Sequence, residues 1–228
     1  MDFELIISSL PEMFDGLMIT LQLLICALVA GLVISIPLAL CWVEGSKLVQ
    51  WIIHFFVTLF RGTPLLVQIF LIYYGLGQLD GIQDSIFWLF LRDPFFCTLL
   101  ALGLNTSAYT ANIIRGAIRA VPYGEIEAGR AFAMSRFTLY RYVILPQAFK
   151  LVLPAYGNEI IIILKATSLA STVTIMDLTG VAYGIFSNTY SPYEPFITAA
   201  LIYISITFIL TRLFRLVEVR INRQSVDW

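Results

Sequence analysis

Charged residues are scarce in this sequence. Asp, Glu, Lys and Arg make up 13% of its 228 residues, whereas 59% are hydrophobic and the mean hydropathy is +0.87. Such a composition lies far outside the range of water-soluble domains. A net charge of −1 also provides no basic face for nucleic acid. Because lipid leaves the backbone few alternatives to the helix, the composition predicts an all-α integral membrane protein.

Residues that support catalysis or metal binding are few as well. The chain has three cysteines, which lie in or beside apolar runs without metal-site spacing, and its one histidine, His54, has no companion at ligand spacing. No glycine-rich phosphate loop is present in the sequence. We therefore predict neither an enzyme nor a cofactor bound by this chain, so any energy source comes from another protein.

Long apolar segments are abundant. About 20 apolar residues are needed to cross a bilayer as a helix. The sequence predicts five transmembrane helices, at residues 17–43, 51–76, 95–118, 151–168 and 195–214, within a single domain of residues 1–228. No Lys or Arg precedes the first segment, so it is interpreted as a retained helix and not as a cleaved signal sequence.

Basic residues follow the first segment, fill the connection between the third and fourth, and follow the fifth. Lys47, Arg130 and Arg212 are examples, whereas the opposite ends are mainly acidic. The positive-inside rule then predicts an outside N-terminus and a cytoplasmic C-terminus, as an odd number of helices requires.

Arg61-Gly62-Thr63-Pro64 interrupts the second apolar segment. Proline removes a backbone donor and glycine loosens the turn, so the segment is predicted to break there. The break indicates either a gate or cavity wall, or a structural kink supported by Thr63.

Residues 115–147 form a long connection in a chain that has few residues outside its apolar segments. Pro122 is a typical first residue of a short helix, and Ser135 is a typical N-cap of a second one. Small residues such as Ala128 and Ala131 would let another surface approach closely. We interpret the connection as a cytoplasmic docking loop; the alternative is an amphipathic helix attracted to anionic lipid by its arginines.

The pattern Glu127-Ala128-Gly129, then Ala133, then Val143-Ile144-Leu145-Pro146 resembles the EAA loop of bacterial ABC importer permeases. It departs from that family at position 129, where Ala is expected, at 133, where Gly is expected, and at 143, where Ile is expected. The resemblance implies a site that couples the chain to an ATPase subunit. Its residues are Glu127, Ala128, Gly129, Arg130, Ala133, Met134 and Ser135.

Four further stretches resemble polar amino-acid permeases, most of all the M-type subunits for histidine, lysine, arginine and ornithine. They are residues 60–68, 105–109, 116–122 and 164–169. The resemblance implies a type I ABC importer permease fold in the bacterial cytoplasmic membrane and a non-catalytic translocation subunit for basic amino acids. It also implies a second permease subunit, identical or related, two ATPase subunits that use ATP and Mg, and an extracytoplasmic binding protein.

Glu159 is predicted to lie near the bilayer midplane, where a carboxylate is costly unless it is paired or faces an aqueous cavity. Lys165 projects about 120° away around the same helix, which disfavours an intrahelical pair. We therefore predict a substrate pathway in which Glu159 attracts a cationic amino acid. Its hydrogen-bonding partners on that pathway would be Asn158, Asn105, Thr106 and Thr63.

Two alternatives remain open on the sequence. Glu159 could instead bond a neighbouring helix or Arg61 as a structural contact. The chain could also be an autonomous oligomeric channel or secondary transporter with Glu159 as its cation site, although such a protein would not need the long docking loop.

Overall fold

A computed structural model describes residues 2–223. Residue 1 and residues 224–228 of the predicted domain lie outside that range. The described part of the chain consists of helices and connections, with no strand. Its helices are α1 (Phe3–Glu44), α2 (Lys47–Gly62), α3 (Leu65–Phe70), α4 (Trp88–Leu91), α5 (Pro94–Arg119), α6 (Tyr123–Ala131), α7 (Arg136–Leu139), α8 (Leu145–Ala166), α9 (Leu178–Thr189) and α10 (Tyr193–Arg223).

Helix α1 begins at Phe3, well before the apolar run predicted for residues 17–43. The Asp2 side chain caps it by accepting hydrogen bonds from the backbone N–H groups of Glu4 and Leu5 at 3.0 and 3.2 Å. The Asp2 cap therefore lets the helix begin among polar residues, and the helix continues past Pro11, which donates no backbone hydrogen bond. Its 42 residues span about 63 Å, roughly twice the thickness of the hydrocarbon core.

The predicted break in the second segment is confirmed. Helix α2 ends at Gly62, and the helical stretch that starts at Leu65 runs at 104° to it. Pro64 stands at the start of this stretch, where its missing N–H costs no helical hydrogen bond. The carbonyl groups at the end of α2 thereby become available to side chains.

Helix α5 lies inside the bundle and packs mainly against α1 and α8. The two helices α1 and α5 approach closely at Gly31 of α1, where a Cβ atom would lie only 2.3 Å from Cγ2 of Thr106. A core of Leu23, Leu102 and Leu164 joins the three helices. The bundle therefore holds the polar face of α5 in a fixed position.

Among residues 2–223, three helical stretches are long and apolar enough to cross a membrane, namely Phe3–Glu44, Arg136–Val173 and Tyr193–Ile221. The bent pair of α2 and Leu65–Gln78 would add a fourth. Helix α5 is long, but it carries Asn, Thr and Ser side chains that are buried against other helices. Several apolar helices are therefore present in the described residues, whereas the count of five membrane crossings stays a prediction.

Candidate coupling segment and membrane cavity

The two short helices predicted in the docking loop are present. Pro122 precedes α6, and the Ser135 hydroxyl caps α7 by accepting a hydrogen bond from the Thr138 N–H at 3.2 Å. Between the helices Ala133 adopts a φ of 53°, and its N–H donates to the Arg130 carbonyl at 2.9 Å. Residues 132–135 thus form a tight turn between the two helices, called the docking turn below.

The turn and the adjoining helix α6 present most of the predicted coupling residues to solvent. The exposed residues are Glu127, Ala128, Arg130, Ala133, Met134 and Ser135. Gly129 is buried, because the Leu139 side chain occupies the space that a Cβ atom would fill, with Cδ1 2.5 Å from the ideal position.

Exposed aromatic side chains surround the same turn. Phe132 is 81% exposed, Phe137 72% and Tyr123 64%. Exposed large apolar side chains close together along one segment, here in α6, the turn and α7, are typical of a protein docking surface. Tyr123 was not predicted as part of this surface, although an aromatic residue directly after Pro122 at the start of a cytoplasmic helix was an available signal.

Side-chain contacts fix the segment to its surroundings. The Tyr140 hydroxyl donates a hydrogen bond to Glu44 at the end of α1, and Arg136 Nη1 lies 3.9 Å from the other carboxylate oxygen of Glu44. The Gln147 amide donates to Glu125 in the first turn of α6. Both ends of the docking turn are therefore attached to other elements.

A cavity of about 430 Å³ lies where the break between α2 and α3 faces α5 and α8. Its polar lining comes from Arg61, Thr63, Asn105, Tyr109 and Glu159. The guanidinium of Arg61 stacks 5.0 Å from the ring centre of Tyr109. The cavity therefore combines one carboxylate, one guanidinium, an amide and hydroxyl groups.

Glu159 is only 3% exposed and accepts a hydrogen bond from the Thr106 hydroxyl at 3.2 Å. The contact to α5 agrees with the structural alternative, and the position in the cavity wall agrees with the substrate hypothesis. Within the described residues, neither Arg61 nor Lys165 forms an ion pair with Glu159. Arg61 lines the same cavity and exerts a coulombic influence on Glu159, so a cation that entered the cavity would share this carboxylate with the Arg61 guanidinium.

Gln68 links Asn105 and Thr63 through hydrogen bonds. No role was predicted for Gln68 from the sequence. The Gln68 side-chain NH₂ donates to the Phe60 carbonyl at 2.8 Å and to the Thr63 carbonyl at 3.1 Å. Its carbonyl oxygen accepts from the Asn105 amide at 3.0 Å. An amide one turn after a helix break was the available signal, because broken helices need donors for their last carbonyls.

Four of the five predicted pathway residues meet at this site. Glu159, Asn105 and Thr63 line the cavity. Thr106 lies outside the lining and donates its hydroxyl hydrogen to Glu159. Asn158 does not join them, because it lies next to Glu159 on the helix, is exposed, and is not part of the cavity lining.

Comparison with known proteins identifies the type of protein. Residues 27–223 match the family described as the inner membrane component of binding-protein-dependent transport systems. The chain belongs to this family. It is accordingly a multi-pass permease subunit of an ABC importer in the inner membrane, and ATP hydrolysis belongs to a separate subunit.

Two curated relatives cover nearly the whole permease. The nopaline transport system permease protein of Agrobacterium fabrum is 48% identical over 97% of this chain and 92% of its own length. The histidine/lysine/arginine/ornithine transport system permease protein of Escherichia coli K12 is 46% identical over 91% of this chain and 87% of its own length.

Solved structures agree with this assignment. A chain of an amino acid ABC transporter crystallised with histidines is 38% identical, covers 96% of this chain and 99% of its own length, and has a TM-score of 0.87. A chain of the MetNI methionine transporter in an inward-facing conformation has a TM-score of 0.79 at 15% identity, which shows the shared fold. The permease therefore has the type I ABC importer fold.

Proposed function

We propose that this permease is the translocation subunit of an ATP-driven importer of basic amino acids. The observation that carries the proposal is Glu159, a buried carboxylate in the wall of a membrane cavity, with no ion-pair partner among the described residues. The name of the Escherichia coli relative, which includes histidine, lysine, arginine and ornithine, supports the same substrate class. Asn105 and Thr63 would supply hydrogen bonds to the substrate, whereas Thr106 orients Glu159.

The turn between α6 and α7 is proposed as the coupling site for the ATPase subunit. Glu127, Ala128 and Arg130 are exposed on the adjoining helix α6, and together with Phe132 in the turn they form a surface that a groove of another protein could enclose. ATP and Mg would be used by that partner, so this chain needs no cofactor of its own.

The complete importer is proposed to contain a second permease subunit, two ATPase subunits and an extracytoplasmic binding protein. The cavity residues Arg61 and Thr63 are exposed on this single chain, which suits a pathway completed by a second permease. Five crossings would place the N-terminus outside and the C-terminus in the cytoplasm.

The substrate role is tested with Glu159→Gln in importers reconstituted in proteoliposomes with the ATPase and an arginine-loaded binding protein. A hydrogen bond to a charged group contributes about 1.5–3 kcal/mol, so we expect arginine uptake to fall roughly ten- to a hundredfold. The matched control is Asn158→Ala, the neighbouring position outside the cavity, which should change uptake little. Unchanged arginine uptake by assembled Glu159→Gln complexes would contradict the substrate role.

The coupling role is tested with Glu127→Lys in the same system. We propose that the ATPase groove receives the Glu127 carboxylate with a basic side chain; Glu127→Lys would then place like charges together, which costs several kcal/mol, and should abolish copurification of the ATPase subunit with the permease. Asp84→Lys makes the same charge change in the connection before α4, far from the docking turn, and should leave copurification intact. Normal ATPase binding by Glu127→Lys would count against this surface.

A further inference from the structure

The end of α1 contacts the polypeptide that follows the docking turn. Tyr140 donates its hydroxyl hydrogen to Oε1 of Glu44, and Arg136 approaches Oε2 of the same carboxylate at 3.9 Å. Tyr140 starts the π-helical stretch Tyr140–Ile144, which leads from α7 into α8. One carboxylate therefore holds two residues of the segment that would move with the docking turn.

The two contacts of Glu44 differ in strength. Arg136 is 93% exposed, and an exposed ion pair at this distance contributes little. The Tyr140 hydroxyl is a neutral donor to a charged acceptor, a shorter and stronger class of hydrogen bond. The hydrogen bond between Tyr140 and Glu44 is therefore the contact that can stay intact when the segment after the docking turn moves.

The same end of α1 is also joined to α5. The ring of Trp42 is 3% exposed and lies 3.9 Å from Cζ of Arg115. Arg115 is six residues beyond Tyr109, about 9 Å along α5. Since Tyr109 and Asn105 line the cavity, α5 connects the Trp42 contact with the cavity wall.

We propose that Glu44 is a positioning residue that passes displacement of the docking turn, through Tyr140, to the end of α1 and from there to α5 and the cavity. Glu44 is not among the residues that line the cavity. This inference rests on the proposed coupling role of the turn. Breaking the contact would leave ATP hydrolysis possible but would lower the amount of amino acid moved for each ATP consumed.

The test measures arginine uptake and phosphate release together in proteoliposomes that contain the complete importer, for Tyr140→Phe, Glu44→Ala and the double variant. Each single substitution removes the hydrogen bond, so each should lower the uptake-to-ATP ratio about three- to tenfold. The double variant should be no worse than either single one, because both substitutions remove the same contact.

Two controls separate positioning from general structure. Glu44→Gln keeps a side-chain carbonyl that accepts the Tyr140 hydroxyl hydrogen, so it should restore a ratio near that of the wild type. Tyr142→Phe removes a hydroxyl from a tyrosine that is 66% exposed two residues further on, and it should also leave the ratio unchanged.

The outcomes are distinguishable. Any one of three results would overturn the inference and leave the proposed coupling surface intact. They are wild-type ratios in Tyr140→Phe and Glu44→Ala, additive losses in the double variant, and failure of both single variants to bind the ATPase. Normal ATPase binding by Glu127→Lys overturns the proposed coupling surface itself, and the inference with it.

Discussion

At the residue scale, Ala133 occupies a backbone conformation that favours glycine. Its φ of 53° lies in the left-handed region, which costs an L-residue roughly 1–2 kcal/mol. The resemblance to the EAA loop implies Gly at 133 and Ala at 129, and this chain has the two residues exchanged. The absence of a Cβ atom at Gly129 leaves room for Leu139 to pack against the turn.

Ala133→Gly should therefore make the turn more stable. We expect slower amide hydrogen exchange in residues 129–139 of the purified permease complex, by about two- to fivefold, because glycine removes the steric cost but adds conformational entropy to the unfolded segment. Ala128→Gly is the matched control, since the same substitution within helix α6 should speed exchange. Faster exchange in both variants would show that the left-handed backbone at 133 carries no steric cost.

At the scale of single elements, Gln68 holds the break between α2 and α3 together. Its amide satisfies the carbonyl groups of Phe60 and Thr63 and also bonds Asn105 on α5. A buried polar group left without a partner costs about 1–3 kcal/mol. Gln68 therefore satisfies several such groups at once, and Asn105 adds a second hydrogen bond to the Phe60 carbonyl at 3.1 Å.

Gln68→Leu should thus lower the thermal unfolding temperature of the assembled importer and reduce transport, since carbonyls at the break and the Asn105 amide lose partners. Gln78→Leu is the matched control at an exposed position of the same helical stretch, and it should leave the unfolding temperature nearly unchanged. Equal unfolding temperatures for the two variants would contradict the bracing role of Gln68.

The same elements show what the sequence could and could not predict. The break at Pro64 and the cap at Ser135 depend on local backbone chemistry, and both are confirmed. The start of α1 was predicted at residue 17 because hydropathy marks apolar residues and not the helix itself, which Asp2 caps. The role of Gln68 depends on a contact with Asn105, 37 residues away, which no local pattern reveals.

At the scale of the whole molecule, two long-range contacts relate the helix ends to one another. The Asp2 N–H donates a hydrogen bond of 2.9 Å to Glu194 at the start of α10. At the other end of α1, Glu44 accepts a hydrogen bond from the Tyr140 hydroxyl. Residues 2 and 194 therefore lie at one end of the bundle, and residues 44 and 140 lie at the other. This arrangement supports the proposed topology, in which the chain crosses the membrane an odd number of times.

Labelling of single cysteines with a membrane-impermeant maleimide would test all five crossings, in a background where the three native cysteines are replaced by serine. In intact spheroplasts we expect labelling at Asp84→Cys and Asn188→Cys, because both residues are exposed and the proposed topology places them on the outer side. Lys47→Cys, Arg130→Cys and Arg220→Cys should react only after permeabilisation. A site that reacts from the side opposite to this expectation would contradict the predicted count of five crossings. If Arg130→Cys reacted from outside, the docking turn could not meet a cytoplasmic ATPase, and the proposed coupling would fail for the whole molecule.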